Sequence, residues 1–216
     1  GEAIGLGLLR EGERLPNEAE LAARLEIAPM TLRQALAILR EAGYLHTTRG
    51  RGGGTFVRSA RPLPLPAGHE VMTAEQLKDV TEFRIAVSGH AAALAAERAT
   101  ARELDQLSEL VEAMARRTAF TSYRQLDARF HLGIAAASRS KRLLEAESDV
   151  QRDMLGALLL AGENPADGSL DTSNDQHLRI AAALRARDPE RARAETEAHV
   201  RSTADLLIGM RLGMVR

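Results

Sequence analysis

At 216 residues with 44% hydrophobic side chains, the chain has material for two modest cores, and its net charge of −1 does not by itself mark it as a binder of polyanions. The absence of cysteine excludes a disulfide framework and a thiolate metal site and suits a reducing cytoplasm. The longest apolar run, residues 154–162, is far too short to span a membrane, and no charged-then-apolar leader opens the chain. With aromatic residues at only 3%, the cores must be built from Leu, Ala, Val and Ile, which favours helices packed through small residues.

Residues 1–9 read as the end of a helix whose beginning lies upstream. Residues 17–57 hold the first clear unit. Asn17 with Glu20 three positions on predicts a capping box, and the helix it opens should bury Leu21, Ala22 and Leu25. Pro29 stops that helix and suits the first turn of another, along which Leu32, Ala35, Leu36 and Leu39 recur at helical spacing until Gly43. Residues 44–48 and 55–57 then predict two strands, joined by Arg49-Gly50-Arg51-Gly52-Gly53-Gly54, a turn that can be tight while presenting two guanidinium groups. The product is a winged helix-turn-helix.

A recognition helix enters the DNA major groove by its N-terminal end, which makes Met30, Thr31, Arg33 and Gln34 the candidate readers, with Arg33 foremost. Between residues 28 and 58, Arg33, Arg40, Arg49, Arg51 and Arg58 face only Glu41, and this local excess matters more for DNA than the neutral total. A plain helical hairpin with a surface loop is the alternative, but it gives the Gly-Arg turn no purpose.

Pro62, Pro64 and Pro66 make residues 59–68 an extended linker, which separates a winged helix at 1–58 from a second domain at 69–216. Helical patterns follow at 74–98, 101–117, 119–137, 140–161, 172–187 and 189–213, with Thr73 or Ala74, Thr100 and Asp188-Pro189 as start signals. Six helices and almost no strand signal predict an antiparallel all-helical bundle.

Inside that bundle Asp127 and His131, four residues apart, share a helix face, while Phe130 turns away into the core. His177 and His199 each lie eleven residues from Asp188, so a helical hairpin closing there brings both imidazoles to one height. Three imidazoles and a carboxylate suit a divalent ion, zinc first, with nickel, iron or manganese as alternatives. Spacing alone leaves open that these are unrelated polar residues on helix surfaces. No Glu-x-x-His pair is available for a carboxylate-bridged di-iron centre.

Taken together, residues 14–22 (RLPNEAELA), 30–36 (MTLRQAL) and 50–57 (GRGGGTFV) resemble the DNA-binding domain of GntR-type bacterial transcription regulators. Residues 74–205 resemble the FCD ligand-binding domain of that family's FadR branch. The resemblance implies that Arg33 contacts DNA from the recognition helix and that Arg49 and Arg51 sit in a wing approaching the minor groove. It also implies that Asp127, His131, His177 and His199 hold a metal, and that Arg84 is an inward arginine pairing with a carboxylate effector. A surface salt bridge is the alternative for Arg84. Four positions depart from the family's pattern. Ala19 and Pro29 replace frequent DNA-contacting arginines, Ser88 replaces a Glu, and Ser140 stands for an Asn after the Asp-x-x-x-His segment.

The sequence therefore reads as a cytoplasmic, non-enzymatic transcription regulator, a repressor in the family's commonest mode, whose hold on double-stranded operator DNA responds to a small carboxylate. Two readers meeting two half-sites imply a homodimer. The rival readings are a metal-dependent hydrolase, for which no general base stands beside the four ligands, and a metal-ion sensor using the same residues.

Overall fold

In a computed structural model the protein is described at residues 9, 11–58, 72–117, 120–161 and 169–211, excepting the side chains of 121, 155–161, 169, 210 and 211. The helix end expected over 1–9 and the linker at 59–68 lie essentially outside these residues. The chain divides into two compact units between Pro64 and Leu65.

The first unit contains α1 (Glu18–Arg24), α2 (Pro29–Glu41), β1 (Leu45–Thr48) and β2 (Gly54–Val57). Asn17 caps α1 by accepting from the Glu20 backbone N–H at 2.9 Å. Only that half of the expected box forms, because the Glu20 carboxylate takes Arg24 at 2.5 Å instead. Leu25 is another correction: it is 54% exposed, since α1 ends there and its side chain falls beyond the face that buries Ala22. Ala35 is likewise exposed, and the core of this unit is Leu15, Ala22, Leu32, Leu36, Tyr44, Leu45 and Val57.

The hairpin pairs antiparallel in the register His46↔Phe56 and Thr47↔Thr55, with His46 and Phe56 stacked at 5.5 Å. The turn needs glycine at position 53, where a Cβ would stand 2.5 Å from the Thr48 carbonyl oxygen. The stretch before α1 carries no strand signal in the sequence, yet it bonds to the outer edge of β2, through Leu15 N–H to Thr55 O and Val57 N–H to Glu13 O. Its residues alternate too weakly in polarity to read as a strand.

The second unit comprises α3 (Ala74–Arg98), α4 (Ala101–Ala115), α5 (Phe120–Ala137), α6 (Lys141–Ala161), α7 (Ser169–Arg185) and α8 (Pro189–Arg211). Thr73 with Gln76 and Thr100 with Glu103 form complete capping boxes, and Asp188 caps α8 through the Arg191 N–H at 3.0 Å. Helix α7 stops two residues before the predicted end because Arg187 adopts φ 57°, which lets the Asp188 N–H reach back to Ala183 O at 3.2 Å. Scarce aromatics are offset by small residues. Ala92, Ala95 and Ala96 are buried along the C-terminal part of α3, and Gly89 lies so near α8 that a Cβ would meet Glu197 Cγ at 2.9 Å. No helix among the described residues is long and apolar enough to cross a membrane.

Glu103 joins the start of α4 to Arg139, which donates to both its oxygens at 2.8 and 2.7 Å. The Thr100 N–H, then the Arg139 guanidinium, hold its carboxyl at about 2, below its ordinary 4.5. A depressed acid stabilises the fold above its unfolded value and loses that contribution as pH falls towards its folded value. Because the pair is solvent-screened and Gln keeps the cap's acceptor oxygen, Glu103→Gln is expected to cost no more than about 1 kcal/mol at pH 7. In urea melts the difference from wild type should narrow between pH 5 and pH 3; a gap independent of pH would assign the effect to packing.

Candidate functional site

The N-terminal end of α2 presents a polar and accessible face. Met30 is 63% exposed, and Thr31, Arg33 and Gln34 are exposed beside it. Arg33 Nε donates to Glu18 Oε2 at 2.9 Å, so α1 orients the principal reader across the helix-turn-helix. At this level of exposure such a pair is worth about 0–1 kcal/mol and can be exchanged for a base edge. Arg49 and Arg51 are exposed at the hairpin tip. Arg40 belongs partly to the scaffold, because it donates to Thr47 Oγ1 at 3.3 Å and ties α2 to β1.

The second unit collects Asp127 and His131 from α5, His177 from α7 and His199 from α8 into one buried cluster. One potential ligand atom from each lies within 4.8 Å of all the others. His131 Nε2 stands 3.2 Å from His199 Nε2, and His177 Nε2 stands 3.0 Å from Asp127 Oδ1. The α7–α8 hairpin brings the rings of His177 and His199 to 4.4 Å, as the symmetric spacing about Asp188 requires. Phe130 is fully buried but does not turn away from the cluster: its ring meets His177 edge-on at 5.1 Å.

Two of the three imidazoles are held neutral around a carboxylate that is itself paired with an arginine. Burial, which opposes charge, pushes His131 and His199 well below their ordinary values and leaves their imidazoles neutral. Burial also works to raise Asp127, but the Arg124 guanidinium in contact with it, followed by His177 and His131, outweighs this and holds the carboxyl well below the usual range. Gln176 Oε1 lies 2.9 Å from His199 Nδ1, which places the His199 proton there and turns the Nε2 lone pair inward. His177 Nδ1 faces the Tyr123 hydroxyl at 3.3 Å, while its Nε2 has no hydrogen bond of good geometry despite the nearby Asp127 oxygen. A buried nitrogen in that position is what a bound cation would satisfy.

Comparison with known proteins decides the family. Residues 2–57 match the bacterial regulatory proteins of the gntR family, and residues 79–202 match the FCD domain. RmpR of Mycobacterium gastri, named as an HTH-type transcriptional regulator, is 34% identical over 98% of this chain and 78% of its own length. The chain belongs to the GntR family of bacterial transcription regulators. The Nta operon transcriptional regulator of Aminobacter aminovorans is 29% identical over 95% of this chain and 90% of its own. The Glc operon transcriptional activator of Escherichia coli K12 is 26% identical over 91% and 81% respectively. Among solved structures, E. coli McbR/YncC shares the fold with a TM-score of 0.59 at 22% identity, covering 97% of this chain and 93% of that one.

The chain is thus a DNA-binding GntR regulator with a winged helix and an FCD bundle, and its relatives are named as regulators of transcription. In this regulator Arg84 is no surface residue. It is 1% exposed on α3, and its Nε and Nη2 find no hydrogen-bond partner among the described residues. Burial lowers its pKa against the pull of Glu147 and Asp127. Ser88 and Ser140 serve structural ends: Ser88 donates to Glu147 Oε2 at 2.6 Å, and Ser140 accepts from the Leu143 N–H at the start of α6.

Sequence reasoning missed Tyr123, Arg124, Glu147, Gln151, Asn174 and Gln176. A signal existed for two of them. Positions 147, 150, 151 and 154 form an i, i+3, i+4, i+7 stripe, and Glu147 and Gln151 are polar members of a stripe that otherwise carries Val150 and Met154 into the core.

Proposed function

We propose that this regulator is a homodimeric repressor of the FadR branch, whose operator binding is altered by a small carboxylate held by Arg84 and by a divalent metal at Asp127, His131, His177 and His199. The observation that carries the reading is the meeting of four buried donor groups from three helices beside a buried guanidinium with two unpartnered nitrogens. When bound, a dication would receive one carboxylate oxygen and three imidazole nitrogens, keeping a net positive charge and positions for a ligand oxygen. Zinc suits this donor set best, and nickel, iron or manganese accept the same groups. Arg84 favours an organic effector over a pure metal sensor, because the ion alone leaves its buried N–H groups unpaired.

The test is metal analysis of protein dialysed against zinc, followed by calorimetric titration of a panel of small carboxylates into wild type and Arg84→Met. Stoichiometric zinc is expected in both, with acid binding weakened at least about tenfold in the variant. Wild type free of zinc after loading, or acid binding indifferent to Arg84, overturns the reading. Zinc binding that changes operator affinity with no acid bound would favour the metal sensor.

A homodimer follows from the need to place two winged helices on two half-sites. The winged helix is too small to supply both a DNA face and a large interface, so the helical unit should carry the contact. Sedimentation of residues 69–216 at micromolar concentration is expected to give a dimer, and a monomer would move the interface to the DNA-binding unit. Repression is tested by transcription from an operator-bearing promoter, where added protein should lower the yield.

A further inference from the structure

The helix packed against the one that carries Arg84 holds a buried acceptor that no group among the described residues satisfies. Gln151 on α6 is fully buried, and its Nε2 donates to Glu147 Oε1 at 2.7 Å. Glu147 receives Ser88 of α3 on its other oxygen at 2.6 Å. The Gln151 amide thus turns its NH2 end to Glu147, and Oε1 is left without a partner.

Helices α3 and α6 run antiparallel: Leu77 shares a cluster with Val150 and Met154, while Ser88, farther along α3, meets the earlier Glu147. One turn back from Ser88 is Arg84, and one turn on from Glu147 is Gln151, so the two stand at the same level. Arg84 offers unpartnered donors and Gln151 an unpartnered acceptor, yet they do not satisfy each other. A second buried acceptor, Asn174 Oδ1 on α7, is also unpaired.

We infer that Gln151 selects an effector bearing a hydroxyl group as well as a carboxylate. This rests on the carboxylate reading above and narrows it. An unsubstituted alkyl acid would satisfy Arg84 but strand Gln151 Oε1 away from water, whereas a hydroxyl near the carboxylate donates to it. An ammonium group could donate too, but it would stand beside the Arg84 and Arg124 cations and the metal.

Zinc-loaded full-length protein, titrated with propanoate, 2-hydroxypropanoate, 3-hydroxypropanoate and 2-aminopropanoate, tests the inference. One hydroxy acid should bind about 10- to 100-fold more tightly than propanoate. In Gln151→Met that ratio should fall to within about threefold, with zinc content retained and propanoate bound as tightly as by wild type or more tightly. Chelation of zinc by a 2-hydroxy acid would survive this substitution, so loss of the ratio separates selection by Gln151 from selection by the metal. If Gln151→Met does not fold, the double variant Glu147→Leu/Gln151→Leu removes the acceptor without leaving Glu147 short of a donor. The wild-type ratio decides the ligand class without any variant. A ratio near one, a ratio unchanged by loss of Gln151, or tighter binding of the amino acid overturns the inference. Acid binding that depends on Arg84 but ignores the hydroxyl overturns this step alone. Acid binding indifferent to Arg84 overturns the carboxylate reading beneath it.

Discussion

His177→Ala is expected to abolish the zinc binding proposed for the regulator and, with it, the stability that a bound ion would lend the helical unit. His177 is fully buried, it supplies the donor atom with no good hydrogen bond, and it comes from a helix separate from those of Asp127, His131 and His199. An ion bound by all four therefore ties α5, α7 and α8 together, and the unfolded chain does not reproduce that arrangement. At free zinc a hundredfold above the dissociation constant, binding to the folded state alone stabilises by about 2.7 kcal/mol. In thermal melts with and without a chelator, wild type should lose stability on chelation, and His177→Ala should start low and not respond. His199→Ala should behave the same way. Gln176→Ala should show a weaker form of the effect, about 10- to 100-fold in metal affinity, because it removes only the group that fixes the His199 proton. A wild-type melt unchanged by chelator after zinc loading would rule out the metal and leave the winged-helix assignment standing.

Loss of Arg33 should be the most damaging single change in the DNA-binding unit. A guanidinium reading a base edge is worth about 1–3 kcal/mol, so Arg33→Ala should weaken operator binding by roughly 5- to 150-fold and relax preference at one base position. The Glu18 pair must be exchanged on the way, at a cost of no more than about 1 kcal/mol for groups this exposed. The double wing variant Arg49→Ala/Arg51→Ala should act differently. It should lower affinity on all sequences and flatten the plot of log affinity against log salt by about 2, one unit for each phosphate that is no longer neutralised. Operator binding unaltered in both variants would place the DNA face elsewhere on the unit.

The winged helix and the bundle were legible in the sequence because local signals mark their elements. Asn17, Thr73, Thr100 and Asp188 accept from backbone N–H groups within three residues of themselves, and a cap formed within one turn does not depend on what packs against the helix. Helical pattern placed the spans of α4 and α5 for the same reason. The meeting of His177 and His199 was also accessible, since a short hairpin closing at Asp188-Pro189 makes equal offsets into equal heights. Family resemblance named the four candidate ligands and Arg84, and pattern alone would have left the four as a weak Asp-x-x-x-His pair and two distant histidines.

What the tertiary structure decided depends on contacts between residues far apart in the chain. Leu25 faces solvent and residues 13–15 join the edge of β2, although local sequence pointed elsewhere, because a neighbour's position settles both. The site shows the same division. The sequence supplied the candidate ligand residues, but burial across several helices determines that the His131 and His199 imidazoles are neutral, that Gln176 turns a lone pair inward and that Arg84 keeps unpaired donors. Glu147 meets Ser88, 59 residues earlier in the chain, only because the fold packs α6 against α3. Capping and periodicity act over one or two turns and are written locally, whereas desolvation and the pairing of buried polar groups are sums over whatever the fold brings near, and no stretch of sequence contains them.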